Sequence, residues 1–447
     1  MSFLVDKQTL DDLNVFNKKA RDSVFGLFNR TRTRGGAEIL EQMFRYPLSD
    51  AGAINQRSQI IQYFQQTGLL FPFQEAWFDL ITHYLDHADE RSKLTGDDHK
   101  LGRAFNQLIG ADAQYKEISK GVQAVVEMMA AYRQFLSDMS RVDIPDSYQE
   151  ELLAIGQILS TPGLEQISRE AGQGKYTYEK TAAHDRVLRF LHKDEIRRLM
   201  AFAYQLDVYL AVAKVAELHQ FVFPKAMTEG HKELKITGLY HPLIEHAIGN
   251  DLSADPESSV VFLTGANMAG KSTFMKSIGI AIFLAHIGFP VAATQMEFPV
   301  MDGLFSTINL PDNLSMGYSH FYAEVLRVKK VAEQLAQQKR LFVIFDELFR
   351  GTNVKDAYEA TVALTTAFAR KTDSVFVIST HIIEAGSVLK EQCPNIQFCY
   401  LPTRMEGTKP IYTYQLTAGI TADRHGMIII GNEGIIEILK NKKKRGQ

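Results

Sequence analysis

The sequence predicts an α + α/β chain. An N-terminal all-helical domain (residues 1–228) is followed by a P-loop NTPase domain (229–437) with a mainly parallel sheet covered by helices, and a basic tail (438–447) closes it. Three observations predict this. Up to about Met227, apolar residues recur at three- and four-residue steps, the spacing of a helix face. Beyond it, short runs of β-branched and aromatic residues alternate with helical patterns, the order that builds a parallel sheet covered on both faces. Between the first run and the next helix stands Gly265-Ala-Asn-Met-Ala-Gly270-Lys271-Ser272, a phosphate loop in its strand–loop–helix setting.

The helical pattern is clearest at Val122, Val125, Val126, Met129 and Tyr132, and again at Val208, Ala211, Val212, Val215, Leu218 and Val222. Residues 143–147 and 172–175 read as breaks between helices. Pro224 is expected to end the last long helix, because its ring denies the preceding turn a hydrogen bond. Strands are expected at 260–263, 341–345 and 375–379, and the later runs 396–400 and 411–416 as a hairpin-like addition to the sheet edge. The tail carries Lys440 and four consecutive basic residues from Lys442 to Arg445, read as a solvated charge run.

At 447 residues the chain exceeds what one hydrophobic core usually holds, so two or three domains are expected. A net charge of −3 gives no long-range pull on nucleic acid, so any contact with DNA must come from a local basic surface. Cys393 and Cys399 are too few for a disulfide framework and fit no zinc spacing; both are expected to be free thiols in a cytoplasmic protein. The longest apolar stretch, 278–293, is interrupted by His286 and Pro290 and is short for a membrane span. It follows the phosphate loop, where a buried helix belongs, and no membrane role is expected.

The motifs carry a specific chemistry. Gly265, Asn267 and Gly270 belong to a loop whose backbone wraps phosphates closely, and the following helix adds the positive end of its dipole. In this loop type Lys271 reaches the β- and γ-phosphates of ATP, while the Ser272 hydroxyl ligates Mg²⁺. The run from Leu341 ends in Asp346 and Glu347. A Mg²⁺ site needs hard oxygens and hydrolysis needs a base beside the γ-phosphate, so Asp346 is assigned to the metal and Glu347 to the attacking water. A third strand ends in Thr380-His381. Such a histidine is commonly just a satisfied polar residue; at the C-terminal edge of a parallel sheet, where ligands collect, it is placed to sense the γ-phosphate.

With their flanks, these motifs resemble those of the MutS family of DNA mismatch-repair ATPases. Thr264 to Thr273 is similar to TGPNMGGKST, departing at Ala266 and Ala269. The segment from Asp312 through Ser319 to Phe321 resembles DDLASGRSTF, and that from Asp346 through Arg350 to Thr352 resembles DEIGRGT; Asp356 matches the D-loop acid. Tyr240-His241-Pro242 is similar to RHP, and 419–426 to DGAASKSYG. In the helical half, Thr33-Arg-Gly-Gly and Ile54-Asn-Gln-Arg57 resemble the start of the family's core domain, and the stretch from Gln205 and Asp207 to Pro224 the helix that returns to the ATPase.

The resemblance implies ATP and Mg²⁺ as cofactors and a homodimer through the ATPase domains, in which Ser319 of one subunit completes the nucleotide site of the other. A serine there also suits an N-cap on the next helix. It further implies an aromatic ring on the adenine, which falls on Tyr414; an exposed edge-strand tyrosine is the plain alternative. Family members that recognise mismatches carry a reader with a Phe-x-Glu wedge and a connector domain, for which there is no room before Thr33. Phe73-Gln74-Glu75 lies in a helical stretch matching the core and is assigned to chance. The clamp is expected to be absent or vestigial. DNA contact without mismatch specificity would fall to basic residues such as Lys18, Lys19, Arg30, Arg32 and Arg34, a weak signal. The expected function is that of a MutS-like ATPase in DNA repair or recombination, with a repair or recombination protein as a possible partner. The alternative is an ATP-switched dimeric scaffold that grips a protein and binds no DNA.

Overall fold

A computed structural model describes residues 3–17, 22–87, 94, 109–172, 176–228, 230–266, 268–308, 320–349, 351–407, 409–421 and 438–439. In chain order the elements are β1 (Leu4–Val5), α1 (Lys7–Asp12), α2 (Val24–Phe28), α3 (Arg34–Arg45), α4 (Ala51–Thr67), α5 (Glu75–Asp86), α6 (Ile109–Met139), α7 (Asp146–Leu159), α8 (Leu164–Arg169), α9 (Tyr178–Asp185), a π-helical turn (Arg186–Leu191) and α10 (Lys193–His219). Then come β2 (Lys225–Met227), β3 (Leu234–Leu239), β4 (Asn250–Ala254), β5 (Val260–Gly265), α11 (Lys271–Ile287), β6 (Gln295–Pro299), β7 (Gly303–Thr307), α12 (His320–Ala336) and β8 (Leu341–Asp346). The last are α13 (Val354–Ala369), β9 (Val375–Ser379), α14 (Ile383–Gln392), β10 (Ile396–Leu401), β11 (Thr403–Glu406), β12 (Lys409–Tyr412) and β13 (Thr417–Ala418). The chain forms two compact units, one of Met1–Phe28, Phe44–Ser58 and Ala216–Gln447, the other of Asn29–Met43 and Gln59–Val215.

The second unit is helical. The stripe Val122, Val125, Val126, Met129 and Tyr132 of α6 is buried, as the helical period requires. Val208, Ala211, Val212 and Val215 of α10 are buried too, but Leu218 is exposed. Pro224 does not end this helix. It stops at His219, where Gln220 takes φ +54°, and Val222 instead bridges to Val291. The break expected at 143–147 falls between α6 and α7. Of 172–175, only residue 172 is described. Phe73 is buried against Phe71, Phe78 and Tyr132, while Gln74, the N-cap of α5, and Glu75 are exposed, so the ring of this triplet serves the core. Among the described residues one helix, α10, is long and apolar enough to cross a membrane, yet 67% of its most apolar window is buried inside the protein.

The other unit is built on a seven-stranded sheet of order β1-β7-β8-β9-β5-β10-β13, parallel throughout except for β13. Its central strands β5, β8 and β9 are apolar up to their C-terminal ends, and Val260, Phe262, Val343, Phe345, Phe376 and Ile378 share one core. Helix α11 is apolar all round and buried from Phe274 to Ile287 apart from a partly covered Lys276, as a helix without a polar face must be. Two sequence expectations need correction. The run at 396–400 is no edge hairpin: β10 pairs in parallel with β5, beside the phosphate loop. The run at 411–416 divides, its start pairing with β11 in a separate ribbon and its end lying between strands. Two further features went unforeseen. Leu4–Val5 adds a parallel edge strand to β7 from the chain's far N-terminus, and β2, β6, β3 and β4 form a second sheet.

Candidate functional site

The C-terminal ends of β5, β9 and β8 lie side by side, with β9 in the middle. Two rungs tie them: the Thr380 amide donates to Leu263 O (3.3 Å) and the Glu347 amide to Ser379 O (3.0 Å). At this edge α11 begins. Its N-cap, Gly270, has φ +101°, a left-handed conformation that a side chain resists. A Cβ there would also come within 2.9 Å of the Tyr414 ring. The glycine therefore answers both to the loop's turn and to the close ring.

Lys271 is buried at the start of α11, its Nζ donating to the carbonyls of Gly265 (3.0 Å) and Ala266 (3.2 Å) and standing 4.0 Å from Glu347. Burial pushes its pKa below the usual lysine range, against the pull of Glu347 and Asp346. Ser272, one residue on, is exposed and donates to Asp346 at 2.5 Å. Thr273 is exposed beside it. Burial raises the Asp346 carboxyl while hydroxyl donation from Ser272 and Ser379 pulls it down. Ser379 was missed in the sequence; its signal was a hydroxyl closing β9 immediately before Thr380-His381. Glu347 pairs with Nε2 of His381 and carries φ +54°, a left-handed backbone that a non-glycine residue adopts at a cost of about 1 kcal/mol. The structure thus brings Lys271, Ser272, Asp346, Glu347 and His381 to one place.

Tyr414 is half-exposed and lies not in a strand but in the connection from β12 to β13. Asn250 holds it there: Nδ2 donates to Tyr414 O (3.0 Å) and Oδ1 accepts from Leu416 N (2.6 Å). Asp356 lies outside the cluster, its amide and carboxylate engaged by the Asn353 N-cap of α13. Asn267, Ser319 and Arg350 lie outside the described residues, as do Lys18 and Lys19, most of the segment 312–321, residues 422–426 and the tail from 440.

The donor set can be tested against Mg²⁺. Among the described residues no three His, Cys, Asp or Glu side chains gather as a metal cage. Mg²⁺ does not require one, since it takes one or two protein oxygens and completes its octahedron with water and phosphate. The touching Ser272 hydroxyl and Asp346 carboxylate supply two hard oxygens beside an exposed loop, so the residues fit.

Two family profiles match the chain. The profile of MutS domain III matches residues 8–213, and that of MutS domain V matches 261–444. The chain belongs to the MutS family. Domain V begins within β5 and takes in the loop, both carboxylates and His381; domain III takes in the helices α2 to α9. A DNA mismatch repair protein MutS from Fusobacterium nucleatum subsp. nucleatum is 24% identical over 375 residues, 82% of this chain and 39% of that MutS protein. The chain thus spans about two fifths of the length of that relative.

Proposed function

We propose that the chain is a MutS-type ATPase that binds ATP with Mg²⁺ at the edge of its parallel sheet, hydrolyses it, and uses that cycle to switch a homodimer acting in DNA repair or recombination. The contact between Ser272 and Asp346, with Lys271 and Glu347 beside it, carries the reading. It joins the phosphate loop to the carboxylate strand across an intervening strand, an arrangement that chance packing has no reason to produce.

Each residue has a physical task. The Lys271 ammonium exchanges loop carbonyls for the β- and γ-phosphate oxygens, and its burial strengthens that attraction by lowering the local dielectric. Gly265, Asn267 and Gly270 let the loop close on the phosphates, with Thr273 in the first turn of the helix. Mg²⁺, held by Ser272 and Asp346, would neutralise charge on the phosphates. Glu347 takes the proton of the attacking water, and His381, already paired with it, couples that base to the γ-phosphate edge. Tyr414 stacks on the adenine, held in reach by Asn250. The partner subunit's Ser319 completes the site in trans, which makes ATP a ligand of the dimer interface. The free thiols of Cys393 and Cys399 suit a reducing cytoplasm.

The test is ATP turnover measured with homoduplex, mismatched, branched and single-stranded DNA side by side at low salt, where phosphate contacts are strongest. Stimulation by one form supports the reading and names the substrate class. Turnover indifferent to all of them, without binding in any nucleotide state, contradicts the DNA role and favours a protein partner.

A further inference from the structure

Ser379 closes β9, the strand between β5 and β8, and the proposed chemistry gives it no task. The four residues before it, 375–378, are apolar and buried, and Ser379 itself is fully buried. A hydroxyl in that position must find an acceptor inside the protein. Its register partners are Leu263 on β5 and Asp346 on β8. Side by side in a parallel ladder, register partners carry their side chains on the same face of the sheet. The short serine side chain therefore reaches the neighbouring carboxylate, and its hydroxyl donates to Oδ1 of Asp346.

This contact divides the carboxylate. Oδ1 is held by the central strand, while Oδ2 accepts from Ser272 at 2.5 Å, at the start of α11. Asp346 cannot turn about its last torsion without leaving the buried Ser379 hydroxyl unpaired, which is unfavourable. The other carboxylate is held by the main chain of the same residue. Ser379 O accepts from the Glu347 amide (3.0 Å), where Glu347 takes its left-handed φ of +54°. One residue thus fixes Asp346 through its side chain and Glu347 through its backbone, and a side-chain substitution separates the two.

A carboxylate anchored in this way has one oxygen left for a cation. Mg²⁺ demands strict octahedral geometry, takes few protein oxygens and keeps much of its water. Ca²⁺ takes more oxygens in looser geometry and accepts both oxygens of one carboxylate. We propose that Ser379 is a positioning residue that presents a single oxygen of Asp346 to the divalent cation, and so favours Mg²⁺ over Ca²⁺ in the nucleotide site. This rests on the reading of the sheet edge as an ATP site. Ser379 acts only through Asp346.

The test is calorimetric binding of a non-hydrolysable ATP analogue, first in chelator and then at rising Mg²⁺ or Ca²⁺. Ser379→Ala removes the hydroxyl. Ser379→Thr and Ser379→Val crowd the strand end equally and differ in the hydroxyl alone. All three are expected to bind the analogue without metal within about twofold of wild type, since the phosphate loop is unchanged. The Mg²⁺ concentration for half-saturation is expected to rise roughly tenfold to a hundredfold in the Ala and Val variants, the usual effect of removing a group that orients a metal ligand. The rise for Ca²⁺ is expected to be smaller by about threefold or more, because the released Oδ1 becomes a further ligand for that ion. The Thr variant is expected to stay near wild type with both cations. At saturating Mg²⁺, ATP turnover by Ser379→Ala is expected within about threefold of wild type, because the carbonyl that holds the general base is untouched.

An unchanged Mg²⁺ requirement in Ser379→Ala overturns the proposal while the ATPase reading stands. So does an equal rise for both cations, which is what general loosening of the sheet edge produces, or a Thr variant no closer to wild type than the Val variant. A wild-type chain that does not bind the analogue, or binds it no better with Mg²⁺ than in chelator, overturns the functional reading and this inference with it.

Discussion

His286 is fully buried in the last turn of α11, where Nδ1 donates to the carbonyl of Ile282 (2.8 Å) and Nε2 accepts from the Met301 amide (3.0 Å). Both partners are backbone, so only the neutral Nδ1–H tautomer satisfies them; a proton on Nε2 would face an N–H. Burial accordingly lowers its pKa from 6.5 to about 4, against smaller opposing effects of those hydrogen bonds and Asp302. Between these two values the unfolded chain binds a proton that the folded chain refuses. Stability is therefore lost as pH falls from 6.5 towards 4, by on the order of 3 kcal/mol from this residue, and no further below that. His241, lowered to about 4 by burial and by Lys276, acts in the same direction. The gap between unfolding free energies from urea titrations at pH 6.5 and 4.5 is expected to narrow in His286→Gln, which can still donate and accept without gaining charge, with the share of His241 left in place. An unchanged pH dependence in that variant contradicts the assignment. Asp6 is different: despite burial, Arg327 and Lys330 hold its carboxyl well below the usual range, so its contribution is present above pH ~3.8 and fades only in stronger acid.

At the scale of elements, the helical unit joins two segments that the sequence matched to its family separately. The Asp207 carboxylate, on α10, accepts from the amides of Arg32 and Thr33 and from the Thr33 hydroxyl (2.7 Å) at the start of α3. Gly36 makes room for it: a Cβ there would lie 2.5 Å from Asp207 Oδ2 and 2.8 Å from Thr33 Oγ1. Asp207→Ala leaves the buried Thr33 donors unpaired and is expected to cost about 2–4 kcal/mol, and Gly36→Ala about 1–3 kcal/mol by crowding the same carboxylate. Measured by chemical denaturation, the double variant should cost clearly less than the sum, because removing the carboxylate removes the clash. Strict additivity would show that the two positions do not share this contact. The family motif was legible at Thr33 and Asp207, but the physical reason for it was not, since it is a contact across 174 residues. For the same reason β1 escaped the sequence reading. Leu4–Val5 is too short to show any period, and what fixes it lies some three hundred residues away in β7. The misplaced edge hairpin had another cause. The run at 396–400 comes after the alternating strands and helices, whereas its neighbour in space was decided by the position of β5.

For the whole molecule, the loop, both carboxylates and His381 could be read because each motif is local and its chemistry is set by residue type. What the sequence lacked was the strand order that places β9 between β5 and β8 and so brings Ser379 onto Asp346. On the proposed reading ATP is also a ligand of the dimer, so sedimentation of Glu347→Gln should show a larger dimer fraction with ATP than with ADP; equal fractions would remove the switch. With a net charge of −3, any DNA affinity rests on local contacts and is expected to fall steeply between 50 and 200 mM salt. All of this depends on the sheet edge being a hydrolytic ATP site. The most direct measurement is bound ATP and released phosphate, followed together in wild type, Lys271→Ala and Glu347→Gln. Lys271→Ala is expected to bind no ATP, and Glu347→Gln to hold ATP while its phosphate release drops by roughly a hundredfold or more. Phosphate release by Glu347→Gln at the wild-type rate, or undiminished ATP binding by Lys271→Ala, would contradict it.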